Sequence, residues 1–154
     1  MIAKKVGKSE KECEKIRMIA LLHDVGKIGI PDSIINKSSK LSNDEFELIK
    51  QHPLIGKQIL SKIQILPELC LGANFHHERY DGKGYPAGLN GERIPEIARI
   101  IAVADTYDAM ASKRSYRDVL PQEKVRDEIQ FDPKFALVMV QLIDEDKNYT
   151  MRQN

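Results

Sequence analysis

Apolar positions along this chain recur mostly at helical spacing, and the breaks between them are marked by turn chemistry. Ser9 followed by Glu12 is a capping-box pattern that opens a stretch carrying Ile16, Ile19, Ala20 and Leu22. That helix is predicted to end near Gly26, read as its C-terminal cap. The stretch KIGIPDSIINKSSK contains Pro31 and an Asn-Lys-Ser-Ser run and reads as a connection. Ser42 and Glu45 repeat the capping box ahead of Phe46 and Ile49. Pro53 then kinks or restarts the helix, and Leu54, Ile55, Ile59 and Leu60 form an apolar stripe. Pro67 suits the first position of a helix running to His76 and His77.

Residues 80–95 hold four of the nine glycines and two of the seven prolines, so they are expected to form a long loop ordered by turns. Pro95 is expected to begin the most apolar helix, EIARIIAVADTYDAMA. It is apolar nearly all round and is therefore placed centrally. Its IARIIAVA run fits a buried strand by hydrophobicity alone, but its length and alanine content favour helix. Pro121 and Pro133 mark two short final helices. The fold class is all-α, a helical bundle with a long Gly-rich loop, and residues 1–154 read as one domain.

Composition narrows the partners. Lys and Arg total 24 against 23 Asp and Glu, a net charge of +1, which gives no case for a nucleic-acid polymer or a membrane surface. No segment approaches the roughly 20 apolar residues of a membrane span, and the N-terminus lacks a signal-like apolar run. Cys13 and Cys70 fit no metal or redox spacing. A reduced, cytoplasmic chain is the expectation.

The candidate chemistry lies in the four histidines, each beside another ligand type or at a predicted helix end. His23-Asp24 and His76-His77 are adjacent pairs, with His52 between them and Asp105 in the apolar helix. Imidazole and carboxylate form the ligand set of Zn, Fe, Mn and Ni sites. An Asp beside ligand histidines can bridge two ions. Any one of these histidines is more often a cap or a surface group, but Asp105 in an apolar helix needs a cation or donors nearby. His77 has a structural alternative while His76 ligates. Lys27 is spaced to share a face with Asp24 and meet a phosphate oxygen, or else is a solvated helix-end lysine. Arg114 and Arg117 are spaced to clamp a second phosphate, or else form a solvated basic turn.

The segments LLHDVGKIGIPDSIINK, QHPLIGKQIL, HHERYDGKGYPAGLNGERIP and ARIIAVADTYDAMASKRSYRD resemble the motifs of the HD-GYP family, a branch of the HD-superfamily phosphohydrolases. Gly84, Tyr85 and Pro86 match the tripeptide that names it. The resemblance covers roughly residues 10–120. It implies a bacterial signalling hydrolase that converts cyclic di-GMP to linear pGpG or GMP through a metal-activated hydroxide. It also implies two or three divalent ions, Fe or Mn ahead of Zn or Ni. Asp24 would bridge, His23 and Asp105 would serve one ion, His52 and His76 a second, and His77 a third. Lys27, Tyr85, Arg114 and Arg117 would contact substrate. Asp81 would order the GYP loop and Asp108 would support the ligands. Other expected partners are a sensory or receiver domain, a signalling protein, or a second copy in a homodimer.

Two departures stand out. Family members carry a helix before the HD helix with a further metal-ligating His. Here MIAKKVGKSEKECEK resembles only the tail of that segment, and no His precedes His23, so the domain reads as N-terminally truncated. Gln130 abuts Phe131 where the family usually has a Gly-containing turn, a deletion or a missing loop. Two alternatives to a cyclic di-GMP phosphodiesterase stay open: a catalytically impaired module that binds cyclic di-GMP or a partner protein, and an HD-type phosphohydrolase of another nucleotide.

Overall fold

A computed structural model describes residues 1–111, 130–146 and 151. Among these residues the regular structure is helical, with no strand. In order the helices are α1 (Ile2–Lys5), α2 (Glu10–Leu22), α3 (Asp32–Ile35), α4 (Asn43–Ile49), α5 (His52–Leu60), α6 (Leu69–Phe75), α7 (Glu96–Ala111) and α8 (Pro133–Glu145). Two 3-10 helices, Val25–Gly29 and Gly91–Arg93, lie in the connections.

The starts of α2 and α4 are set locally. Ser9 accepts from the Glu12 amide at 3.3 Å and its own N–H donates to the Glu12 carboxylate at 2.9 Å. Ser42 and Glu45 repeat the exchange at 3.2 and 2.7 Å. Each pairing satisfies amides that the helix leaves without partners. Pro53 restarts the chain at the first turn of α5, as its fixed φ favours. Pro67 lies ahead of α6 rather than at its first turn, and α6 stops at Phe75. Pro133 opens α8, capped by Asp132, whose side chain accepts from the Lys134 amide. The helix expected from Pro121 lies outside the described residues.

Gly26 is not a helix cap. α2 ends at Leu22, and Gly26 sits inside the following 3-10 helix. A Cβ there would stand 1.9 Å from the His52 carbonyl oxygen and 2.5 Å from the Gly56 nitrogen. The residue is glycine because α5 passes against its backbone.

The core has two lobes joined by α7. One gathers Ile2, Ile100, Val103, Phe131, Phe135, Met139, Leu142 and Ile143 from α1, α7, α8 and the segment preceding α8. The other gathers Ile19, Leu60, Leu69, Ala73 and Ile101 from α2, α5, α6 and α7. Ile100 and Ile101 are consecutive and feed opposite lobes, so α7 is buried on two sides, as its nearly uniform apolarity predicts. An Arg99–Asp132 ion pair, with Asp132 buried, ties α7 to the start of α8. No helix among the described residues is long and apolar enough to cross a membrane.

Candidate metal centre

Three helices end at one place. His23 follows α2, His76 follows α6, and His52 lies two residues beyond the α4 cap Lys50, at the first position of α5. Each ring is aimed by main-chain carbonyls in the last turn of the helix that precedes it. The Nδ1 of His23 faces the Ala20 oxygen, that of His52 the Ile49 oxygen at 2.7 Å, and that of His76 the Ala73 oxygen at 2.9 Å. A carbonyl only accepts, so each Nδ1 carries a proton, and each Nε2 offers a lone pair when its ring is neutral and donates when the ring is charged. The negative ends of three helix dipoles meet here, which favours a cation.

The lone pairs converge. The Nε2 atoms of His52 and His76 are 3.2 Å apart. They stand 3.3 and 3.6 Å from Oδ1 of Asp24, while Nε2 of His23 lies 3.4 Å from Oδ2 of Asp24 and 3.6 Å from Asp105. Asp24, His52, His76 and His77 each bring a donor atom within 4.8 Å of the others. His52 is 1% exposed and His76 2%. His23 Nε2 and Asp24 Oδ1 are buried without a hydrogen-bond partner, an arrangement that costs free energy unless a cation completes it. The donor set of imidazoles and carboxylates suits a divalent transition metal.

Charge in the chain alone fits the same picture. Burial pushes the Asp24 carboxyl up, but the His52 and His76 imidazoles, the Lys27 ammonium and charge on His23 outweigh it and hold Asp24 far below the usual carboxylate range. Burial likewise opposes ionisation of Asp105, and His23 overcomes it. Burial lowers His23, but Asp105, the Ala20 carbonyl and Asp24 together raise it above its ordinary value. Burial keeps His76 low and, with charge on His76 and His52, brings His77 to about 3. His77 is therefore a neutral imidazole at neutral pH, the form that binds metal.

The predicted residues around this centre fall into place unevenly. Lys27 donates to Oδ2 of Asp24, on the expected face. Tyr85 stacks on His77 with ring centroids 4.8 Å apart and planes 25° apart, and the Tyr85–Pro86 peptide is cis. Burial and the nearby Asp24 and Asp105 push the Tyr85 phenol well above its ordinary value, so it remains a donor. Asp81 receives Arg79 at 2.7 Å and the Lys83 amide at 3.0 Å, which orders the loop as expected. Asp108 lines a cavity of about 710 Å3 between α1, α2, α7 and α8. Arg114 and Arg117 lie outside the described residues.

Glu78 escaped the sequence reading. It is 4% exposed, and its two oxygens accept from the amides of Ala87 and Leu89 at 2.7 and 2.9 Å. The Tyr85 amide donates to the His77 carbonyl at 3.2 Å. Gly84 lies so close that a Cβ would stand 2.3 Å from the Arg79 nitrogen. The Gly-rich loop is thus folded back onto the His76-His77 segment, holding Tyr85 against a candidate ligand. The only hint in the sequence was an acidic residue directly after two histidines. The loop is also tied toward α8, because Tyr80 N–H donates to the Gln130 carbonyl at 2.7 Å and Arg79 to its side-chain oxygen at 2.9 Å.

A histidine and carboxylate cluster at converging helix ends makes this a helical protein with a candidate metal centre. Residues 1–132 match the family model described as HD domain, and the chain belongs to that family. A cyclic di-GMP phosphodiesterase response regulator of Xanthomonas campestris pv. campestris is 51% identical over 120 residues, 77% of this chain and 32% of that protein. A cyclic di-GMP phosphodiesterase of Thermotoga maritima is 48% identical over 132 residues, 84% of this chain and 36% of that protein. A 3'3'-cGAMP-specific phosphodiesterase of Vibrio cholerae is 39% identical over 150 residues, 90% of this chain and 28% of that protein. This chain thus spans about a third of the length of these relatives. A crystal structure of cyclic GMP-AMP specific phosphodiesterases in V. cholerae matches with TM-score 0.64 and 22% identity, covering 96% of this chain and 42% of that one, a likeness of fold.

Proposed function

We propose that this chain is an HD-GYP-type phosphodiesterase domain, residues 1–154, that hydrolyses cyclic di-GMP to linear pGpG and onward to GMP. The observation that carries the reading is the convergence of bare Nε2 atoms on a buried, unpartnered oxygen of Asp24. The names of the relatives supply the substrate class.

His23, Asp24 and Asp105 would hold one ion, Asp24, His52 and His76 a second, and His77 a third, with Fe or Mn the assignment and Zn or Ni the alternatives. Such ions supply Lewis acidity, lowering the pKa of water and neutralising charge on phosphoryl oxygens. Lys27 would leave Asp24 to donate to a phosphoryl oxygen of the scissile ester. Arg114 and Arg117 would hold the distal phosphate by charge-assisted hydrogen bonds. Tyr85, kept protonated, would donate from the loop side. A sensory or receiver domain would control the activity, consistent with the greater length of the relatives. 3'3'-cGAMP is a second substrate reading, favoured by the Vibrio cholerae relative named for it.

The test is metal analysis of protein purified without chelator, joined to chromatography of products. Bound metal, and pGpG or GMP formed from cyclic di-GMP and abolished by chelator, is the expected result. Metal-loaded protein that leaves both cyclic dinucleotides intact overturns the reading. Less than one metal per chain with cyclic di-GMP still bound would instead make this a binding module.

A further inference from the structure

Beside the candidate metal centre, the corner between α4 and α5 carries two residues, Phe46 and Lys50, that the proposed chemistry leaves unused. Phe46 and Lys50 are four residues apart and share one face of α4 at its C-terminal end. The Lys50 ammonium stands 5.6 Å from the centroid of the Phe46 ring and 5.6 Å from that of Tyr85. One cation therefore lies over two aromatic rings from different elements, and the second of those rings stacks on His77. Phe46, Lys50, Tyr85 and His77 form a continuous run from the surface to the candidate ligands.

Packing does not account for its outer end. Phe46 is 46% exposed, although a ring of that size contributes to stability mainly when buried. Lys50 has three donors, and its paired carboxylate, Glu47, reaches it at 2.8 Å from the exposed side of the helix. An exposed ring beside an ammonium matches the two parts of a purine. The ring offers a stacking platform that any base can use. The ammonium complements an edge bearing acceptors at both O6 and N7, as guanine has, and is opposed by the amino donor that adenine places at the corresponding position.

The geometry points to the α4–α5 corner as a purine subsite of the same centre, in which Phe46 stacks the base and Lys50 selects guanine over adenine. This rests on the cyclic-dinucleotide reading for its ligand class, and it is tested by binding so that the two can fail separately.

The experiment is calorimetric titration of the full chain and its variants with cyclic di-GMP and with cyclic di-AMP, with chelator present so that no turnover occurs. The wild-type chain is expected to bind cyclic di-GMP more tightly. Lys50→Met should weaken cyclic di-GMP by about tenfold while changing cyclic di-AMP less than about twofold. Lys50→Arg, which keeps a donor for O6 and N7, should restore most of the preference. Phe46→Leu should weaken both ligands alike, by about tenfold. Circular dichroism of each variant checks that the helices persist, as expected for surface positions. Equal loss of both ligands in Lys50→Met, no loss in either variant, or no binding of cyclic di-GMP by the wild-type chain overturns the inference. Binding with the expected selectivity but no hydrolysis on adding metal leaves the subsite standing and removes the phosphodiesterase reading instead.

Discussion

Glu78 and Asp81 are both carboxylates of the Gly-rich loop region, but they act on different scales of energy. Glu78 is buried and accepts from two loop amides, so Glu78→Gln removes its charge and turns one amide against an NH2 donor. The expected cost is about 1–3 kcal/mol. Because the loop carries Tyr85, KM should rise more than kcat falls. Urea denaturation and steady-state kinetics with cyclic di-GMP measure the two, and unchanged stability would show that the loop does not depend on this contact. Asp81 is held at about 2, below its ordinary 3.8, by Arg79 and the Lys83 amide. A depressed carboxylate contributes stability above its unfolded value and loses it as pH falls through the folded one. The melting temperature of Asp81→Asn should therefore lie below that of the natural chain near pH 6, and the gap should close between pH 3.8 and about 2. A gap that persists below pH 2 would place the effect elsewhere than in ionisation.

The elements of this fold deliver ligands by their ends, so the distances between elements control the site. Gly26 is the tightest such approach, with a Cβ meeting main-chain atoms of His52 and Gly56 that no rotamer change can move. Gly26→Ala should push α5 away, at a cost at or above the roughly 1–3 kcal/mol of ordinary overpacking. His52 opens α5, so metal affinity should fall together with stability. Parallel metal titration and thermal melting of Gly26→Ala test this. Full metal affinity in a destabilised variant would show that the helix pair yields elsewhere.

At the scale of the whole molecule, the two lobes of the core divide the work. Phe135 is 1% exposed in the lobe formed by α1, α7 and α8, away from the histidines. Phe135→Ala should cost about 3–5 kcal/mol in urea denaturation. Metal bound per folded chain should stay unchanged at low temperature, in contrast to Gly26→Ala. Metal loss matching that of Gly26→Ala would mean that the lobes are not separable.

The same division explains what the sequence disclosed. Ser9, Ser42 and Pro133 announce helix starts because caps are satisfied within a turn of chain. The ligands were legible because histidine is scarce here and each one falls near a helix end. Gly26 was misread as a cap because its true neighbour, the His52 carbonyl, is distant in sequence and leaves no local pattern. Glu78 was passed over for a similar reason: burial of a charged residue depends on a loop returning to it, which no periodicity records.

The aim of His23, His52 and His76 comes from main-chain oxygens, not from side chains placed elsewhere for the purpose. No single substitution can delete a carbonyl. A descendant of this chain can therefore exchange one ligand and keep the remaining imidazoles pointed as before, provided its helices still stop where they do. Ligand identity is free to drift by single steps here, while the lengths of α2, α4 and α6 are the inherited constraint.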